Sequence, residues 1–298
     1  MQTVNSPKPS EDVNLLSLHK KRIKVSDIIW RILIYISIII TVGIFAIIIL
    51  YIIINGINYI SLDFFTKAPN DSLEGILPII INTLYVEVVT LLIAVPIGIG
   101  SAIYLTQYVK QGKFVKIIRF CTETLAGIPS ILFGLFGYTV FCIMFGLGSS
   151  IIAGCLTMVI CVLPNIVRTT EETLLTVPKS YKDGALALGA GKFRVIMGIV
   201  LPCAMPGILT SIILAVGRIM GESAAFLLTI GTGTKMPKNL FDHIFASGRT
   251  LTLHLYYMSG NSSTKDSMNI CFGVATILLI MVFILNCLAK LAAKGFRK

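Results

Sequence analysis

Charge is scarce in this chain. Only 13% of its 298 residues are Asp, Glu, Lys or Arg, against 55% hydrophobic residues. A water-soluble domain carries roughly a quarter charged residues, so a soluble enzyme or binding module is excluded. A phosphate-cradling loop is lacking too: no GxxxxGK[ST] string occurs. The nearest approach, Gly189-Ala190-Gly191-Lys192-Phe193, has neither the spacing nor the hydroxyl that would reach Mg²⁺. ATP hydrolysis by that route is therefore excluded. HExxH, GxSxG, paired-carboxylate and CxxC patterns are missing as well. The three histidines, His19, His243 and His254, have no cysteine or carboxylate at ligand spacing, so no metal site and no catalytic residue is expected. The seven cysteines mostly fall inside apolar stretches and read as small buried hydrophobes.

What the sequence does have is long apolar blocks. Six spans are expected, at about 28–54, 76–105, 117–146, 150–167, 195–230 and 270–293. They form a membrane domain over 28–298 behind a polar segment, 1–27. The first block alone would extend roughly 40 Å as a helix, enough to cross a hydrocarbon core with tilt. The net charge of +11 sits at the ends of these blocks, without aromatic interleaving, so it marks membrane orientation and not nucleic-acid binding. With the N-terminus inside, the N-terminal segment through Arg31, the loops 107–119 and 168–194 and the tail from 290 hold 6, 4, 5 and 4 of the 25 Lys and Arg. The outer connections hold 5, and Arg218 lies within a span. This bias predicts both termini in the cytoplasm.

Two features bear on chemistry. Arg218 and Glu222 are charges at membrane depth, four residues apart, a spacing that puts them on one helix face. Buried ionisable groups in a span mark pathway or gate residues, or else a structural ion pair; both readings stand. Arg168, with Glu171 and Glu172, sits at the end of the fourth span, as an orientation anchor beside a solvated acidic pair or as a second gate. The other feature is the loop before the fifth span. Ser180 opens a short helix rich in small residues, with Asp183 three residues on in a capping-box pattern. Such a helix either docks into a groove of another protein or packs on its own bundle. Glu87, inside the second span, has no assigned role.

The string Asp183-Gly184-Ala185, three residues, Gly189, nine residues, Ile199-Val200-Leu201-Pro202 resembles the EAA motif of ABC importer permeases, with Asp for Glu and Gly for the first Ala. Further stretches are similar to the phosphate-specific branch of that family, in its A-type permease. They are Ala126–Ile131 with Phe133–Gly137, Leu163–Glu172, Gly217–Ala224, and Ser247–Leu251 with His254–Tyr256. The resemblance implies an all-α fold: a six-span, type I (MetI-like) importer permease with a cytoplasmic coupling helix between spans four and five. It implies ATPase coupling through Asp183, Gly184, Ala185, Gly189, Leu201 and Pro202. It also implies a non-enzymatic subunit without cofactor of its own, in a multi-pass bacterial cytoplasmic membrane complex. The partners would be a homologous second permease, an ATPase dimer that binds ATP and Mg, and an extracytoplasmic phosphate-binding protein, with inorganic phosphate as cargo. The alternatives are another oxyanion (phosphonate, molybdate or sulfate) or an ion-coupled secondary transporter or channel. The last would require internal repeats or broken helices around a coupling site, and the sequence reading finds neither.

Overall fold

The computed structural model describes residues 25–66, 75–234, 243–260 and 265–295. Most of the polar segment expected at 1–27 therefore lies outside the described residues. The described residues are helical, with no strand among them. Helix α1 is Val25–Gly56, and the chain through Tyr51 stands as a unit of its own. Its isoleucines from Ile28 to Ile49, with Trp30, Phe45 and Tyr51, are exposed all round the helix. A helix that is apolar on every face suits lipid.

Among the described residues, the second unit, from Ile52 onward, holds eleven further helices: α2 Leu62–Thr66, α3 Leu77–Ile103, α4 Lys113–Ala126, α5 Ser130–Gly137, α6 Ile151–Thr176, α7 Lys179–Ala187, α8 Lys192–Val195, α9 Leu201–Gly221, α10 Ala224–Thr229, α11 Leu251–Gly260 and α12 Lys265–Gly295. π-Helical segments continue α3 over Tyr104–Tyr108 and α5 over Tyr138–Met144, and they join α8 to α9 over Ile196–Val200. Helix α6 is the centre of the bundle and packs against α3, α4, α5, α9 and α10. Of its most apolar stretch 67% is buried, against 28–33% for α3, α9 and α12, which leaves those three with lipid-compatible faces. Small residues let the helices close on it. A Cβ at Gly98 of α3 would strike Ile166, one at Gly137 would strike Thr157, and one at Gly207 of α9 would strike Thr173. Gly100 of α3, by contrast, has nothing within 4 Å of where its Cβ would stand.

Among the described residues, five helices are long and apolar enough to cross a membrane, and a sixth crossing exists if one bent pair is a single span. That pair is the stretch expected as one span at 117–146. It is two helices, α4 and the α5 segment, meeting at 101°. Gly127 ends α4, Ile128 is disfavoured from helix by the following proline, and Pro129 caps α5 with extended backbone (ψ 136°). The stretch expected as a span at 195–230 also breaks. Helix α9 stops at Gly221, Glu222 is extended (φ −82°, ψ 128°), and α10 restarts at Ala224. The fourth span runs further than expected, to Thr176, and takes Arg168, Glu171 and Glu172 onto α6 itself. The two broken stretches pack on one another through α5 and α10, with Gly134 close against the backbone of Ala224 and Ala225. Broken helices are thus present after all. In the sequence each stretch is long and apolar enough to read as one span, and neither Pro129 nor Gly221 by itself shows that it folds back there.

Candidate functional site

Contacts between Arg218 and Cys161 and between Ser211 and Thr170 fix α6 and α9 as antiparallel neighbours. Cys161 lies ten residues beyond Ile151. At 1.5 Å per residue that is about 15 Å along α6, some two-fifths of its length. Arg218 is therefore well inside the span. Its Nη2 donates to Cys161 Sγ at 3.5 Å, and its Nε is buried without a partner. Among the described residues no carboxylate lies within ion-pair distance of it. Glu222, expected to share a helix face with it, is turned away by the break. One carboxylate oxygen of Glu222 instead accepts from the backbone N–H of Ala224 (3.0 Å) and Ala225 (3.2 Å). A carboxylate there pairs the N–H groups that start α10 and have no intrahelical acceptor.

Arg218 lines a cleft of about 420 Å³ with Asn165, Thr169 and Ser211, between apolar Val162, Leu214 and Ala215. The spacings 162/165/169 on α6 and 211/214/215/218 on α9 each trace one helix face, so the cleft is a groove along the α6–α9 seam. Sequence reading found Arg218 but missed Asn165, Thr169 and Ser211. Each is a commonplace polar residue in an apolar span, and only the antiparallel register brings them together.

Arg168 and Glu172 continue that face of α6 as an exposed pair, 3.0 Å apart. Glu171 is no part of a solvated acidic pair. It is buried and accepts two hydrogen bonds from Arg119 of α4, one of them at 2.7 Å from Nε. This tie between residues 52 apart was not legible in the sequence, where Arg119 counts only as an orientation charge. Glu87 is also buried, and its carboxylate oxygens have no partner among the described residues; it does not line the cleft.

The expected coupling segment is α7 and the turn after it. Pro178 holds the N-cap position, the helix starts at Lys179, and no side chain caps it. The Ser180–Asp183 capping box is therefore not formed, because proline starts the helix one residue earlier. Gly189 has φ +82°. Its N–H bonds to Leu186 O (2.9 Å) and the N–H of Ala190 to Ala185 O (3.1 Å), the two bonds of a Schellman turn, which needs a residue in the left-handed region. Ala185 packs inward with Val177, Val195 and Val200, and Leu201 joins the same cluster. Asp183 and Gly184 are exposed, as is Pro202 in the first turn of α9. Tyr181, Leu186, Leu188 and Phe193 are exposed too, Leu188 to 90%. The motif thus presents an uncovered apolar surface on a tightly turned support.

Residues 94–298 match the family described as "Binding-protein-dependent transport system inner membrane component". The chain belongs to that family. It is an ABC transporter permease subunit, a non-catalytic membrane component whose ATPase is a separate chain. Over 262 residues it is 34% identical to the probable ABC transporter permease protein YqgI of Bacillus subtilis, covering 84% of this chain and 88% of that one. It is 33% identical to the phosphate transport system permease protein PstA of Haemophilus influenzae, covering 86% and 90%. Among solved structures, a bacterial ABC transporter for import of the acidic polysaccharide alginate aligns with a TM-score of 0.66 at 15% identity, over 92% of this chain and 99% of that one. At that identity the likeness shows the fold alone. The permease fold explains why the chain has no nucleotide-binding loop: the energy source lies in another subunit.

Proposed function

We propose that this permease imports inorganic phosphate, forming half of a translocation pathway that alternates between outward and inward access. The observation that carries the reading is Arg218: a guanidinium without a carboxylate partner among the described residues, well inside the span, lining a cleft with hydroxyl and amide groups. An anion crossing lipid depth needs such a transient positive point. The likeness to phosphate permeases over most of the chain supports the same cargo. Both termini face the cytoplasm in this reading, so the cleft runs inward from Arg218, and Arg168 with Glu172 stands near its exit. Glu222 holds the break beside Arg218 in shape, and Glu171 anchors the inner gate through Arg119. A second permease closes the pathway, and a phosphate-binding protein delivers the ion from outside. An ATPase dimer, which holds ATP and Mg, drives the cycle. Its motion enters through Asp183, Gly184, Ala185 and Gly189 and reaches α9 at Leu201 and Pro202.

The test is uptake of labelled phosphate at micromolar concentration by cells lacking the chain, complemented with the intact form or with Arg218→Gln. Sulfate, molybdate and phosphonate serve as competitors. Uptake restored only by the intact chain, and reduced only by phosphate, is the expected result. Unchanged uptake in its absence, with other phosphate routes removed, refutes the cargo and leaves a permease for a different solute.

A further inference from the structure

The cleft holds more than a charge. The Ser211 hydroxyl donates to Ile208 O at 2.7 Å. Its proton is thereby committed, so in the 3.3 Å contact with Thr170 the threonine donates. What Ser211 has left for the cleft is an oxygen lone pair. Asn165 and Thr169 are half-exposed in the cleft and make no side-chain hydrogen bond among the described residues. Asn165 offers a donor and an acceptor, and Thr169 a rotatable hydroxyl. Arg218 can only donate. The groove therefore combines donors near Arg218 with at least one obligate acceptor, at Ser211. A fully deprotonated oxyanion sets an anionic oxygen against that acceptor, whereas an oxyanion that keeps a proton can donate to it.

We propose that Asn165, Thr169 and Ser211 form, with Arg218, a weak station for a tetrahedral oxyanion, and that the station favours one still carrying a proton, as phosphate does at neutral pH, over one that does not, as sulfate. The inference rests on the phosphate reading and adds to it a point of discrimination inside the permease. Held by these few groups alone, the ion would be released readily.

Leu214 lines the same cleft and is 60% exposed, which makes Leu214→Cys a reporter in a chain whose exposed Cys121 and Cys203 are changed to serine. In the reconstituted complete transporter, millimolar inorganic phosphate should slow alkylation of the reporter several-fold, and sulfate at equal ionic strength should slow it much less. Adding N165L, T169V and S211A together should abolish the protection, while the ATPase subunits still co-purify. If the triple change disturbs assembly, the near-isosteric T169V and S211A are each read alone and should each weaken protection. Equal protection by both ions, no protection by phosphate, or protection that survives all three changes overturns the station. Phosphate uptake by the same complex is measured in parallel. Its absence refutes the import reading itself, whereas normal uptake without protection refutes the station alone.

Discussion

Arg218 and Glu222 show how one backbone break changes the meaning of a residue spacing. Four residues apart on a continuous helix they would partly neutralise each other. Because α9 ends at Gly221, Glu222 caps α10 and Arg218 meets a thiol. The charge of Arg218 therefore remains available to an anion in the cleft. Arg218→Gln should reduce phosphate uptake at least tenfold, the loss that about 1.4 kcal/mol of transition-state stabilisation produces, with assembly unchanged; near-normal uptake removes Arg218 from the pathway. Glu222→Ala should act differently. Loss of a cap costs about 1 kcal/mol, so the purified chain should melt at lower temperature, and Glu222→Asp should recover part of the difference. The two charges were legible in the sequence as costly residues in an apolar run. Their separation was not, since a glycine inside a membrane helix is ordinary and gives no sign that the helix stops there.

At the scale of elements, the short helix α7 and its closing turn were legible in the sequence, because their spacing is carried by local backbone geometry. Gly189 is needed for its positive φ. A β-branched residue there meets the left-handed penalty of roughly 1–2 kcal/mol and must redirect Leu186 and Leu188. Gly189→Val should leave the chain in the membrane but abolish stimulation of the ATPase by phosphate-loaded binding protein; retained stimulation would remove the turn from the coupling path. The tie between α4 and α6 was illegible for the opposite reason: a contact across 52 residues has no local signature. Glu171→Ala leaves Arg119 partly exposed without its partner. Allowing for solvent screening, the cost is about 1–2 kcal/mol, read as a melting temperature lower by a few degrees. Arg119→Ala combined with Glu171→Ala should cost less than the sum of the two single changes, and strict additivity would show that the pair is not coupled. The break at Pro129 lies between these cases. The proline is visible in the sequence, but prolines at 96, 164 and 206 are tolerated inside continuous helices. Only packing of α5 on α10 turns the one at 129 into a corner.

For the molecule as a whole, the segment before the last helix adds a titratable lock. Arg249 Nη1 lies 3.2 Å from His254 Nδ1, and since the guanidinium only donates, the imidazole accepts there and is neutral. Burial, reinforced by the Arg249 charge, pushes His254 down to about 4. A base depressed on folding favours the folded state above its unfolded value near 6.5, and that advantage is lost as pH falls from 6.5 toward 4. The complex should therefore lose up to about 3 kcal/mol of stability over that interval. His254→Gln should flatten the acid limb of the melting curve, and an unchanged limb would assign the acid sensitivity elsewhere.

The depth of Arg218 has an electrical consequence. If the chain imports phosphate in the proposed orientation, an anion that reaches Arg218 from the Ser150 end of α6 has travelled about two-fifths of that helix, and in a membrane held at voltage it has crossed a comparable share of the potential drop. Each elementary charge moved through the whole of a 100 mV drop exchanges about 2.3 kcal/mol with the field. For import into a cell that is negative inside, that work opposes the ion on both sides of the arginine. A fixed positive charge at that depth divides the climb into two shorter ones.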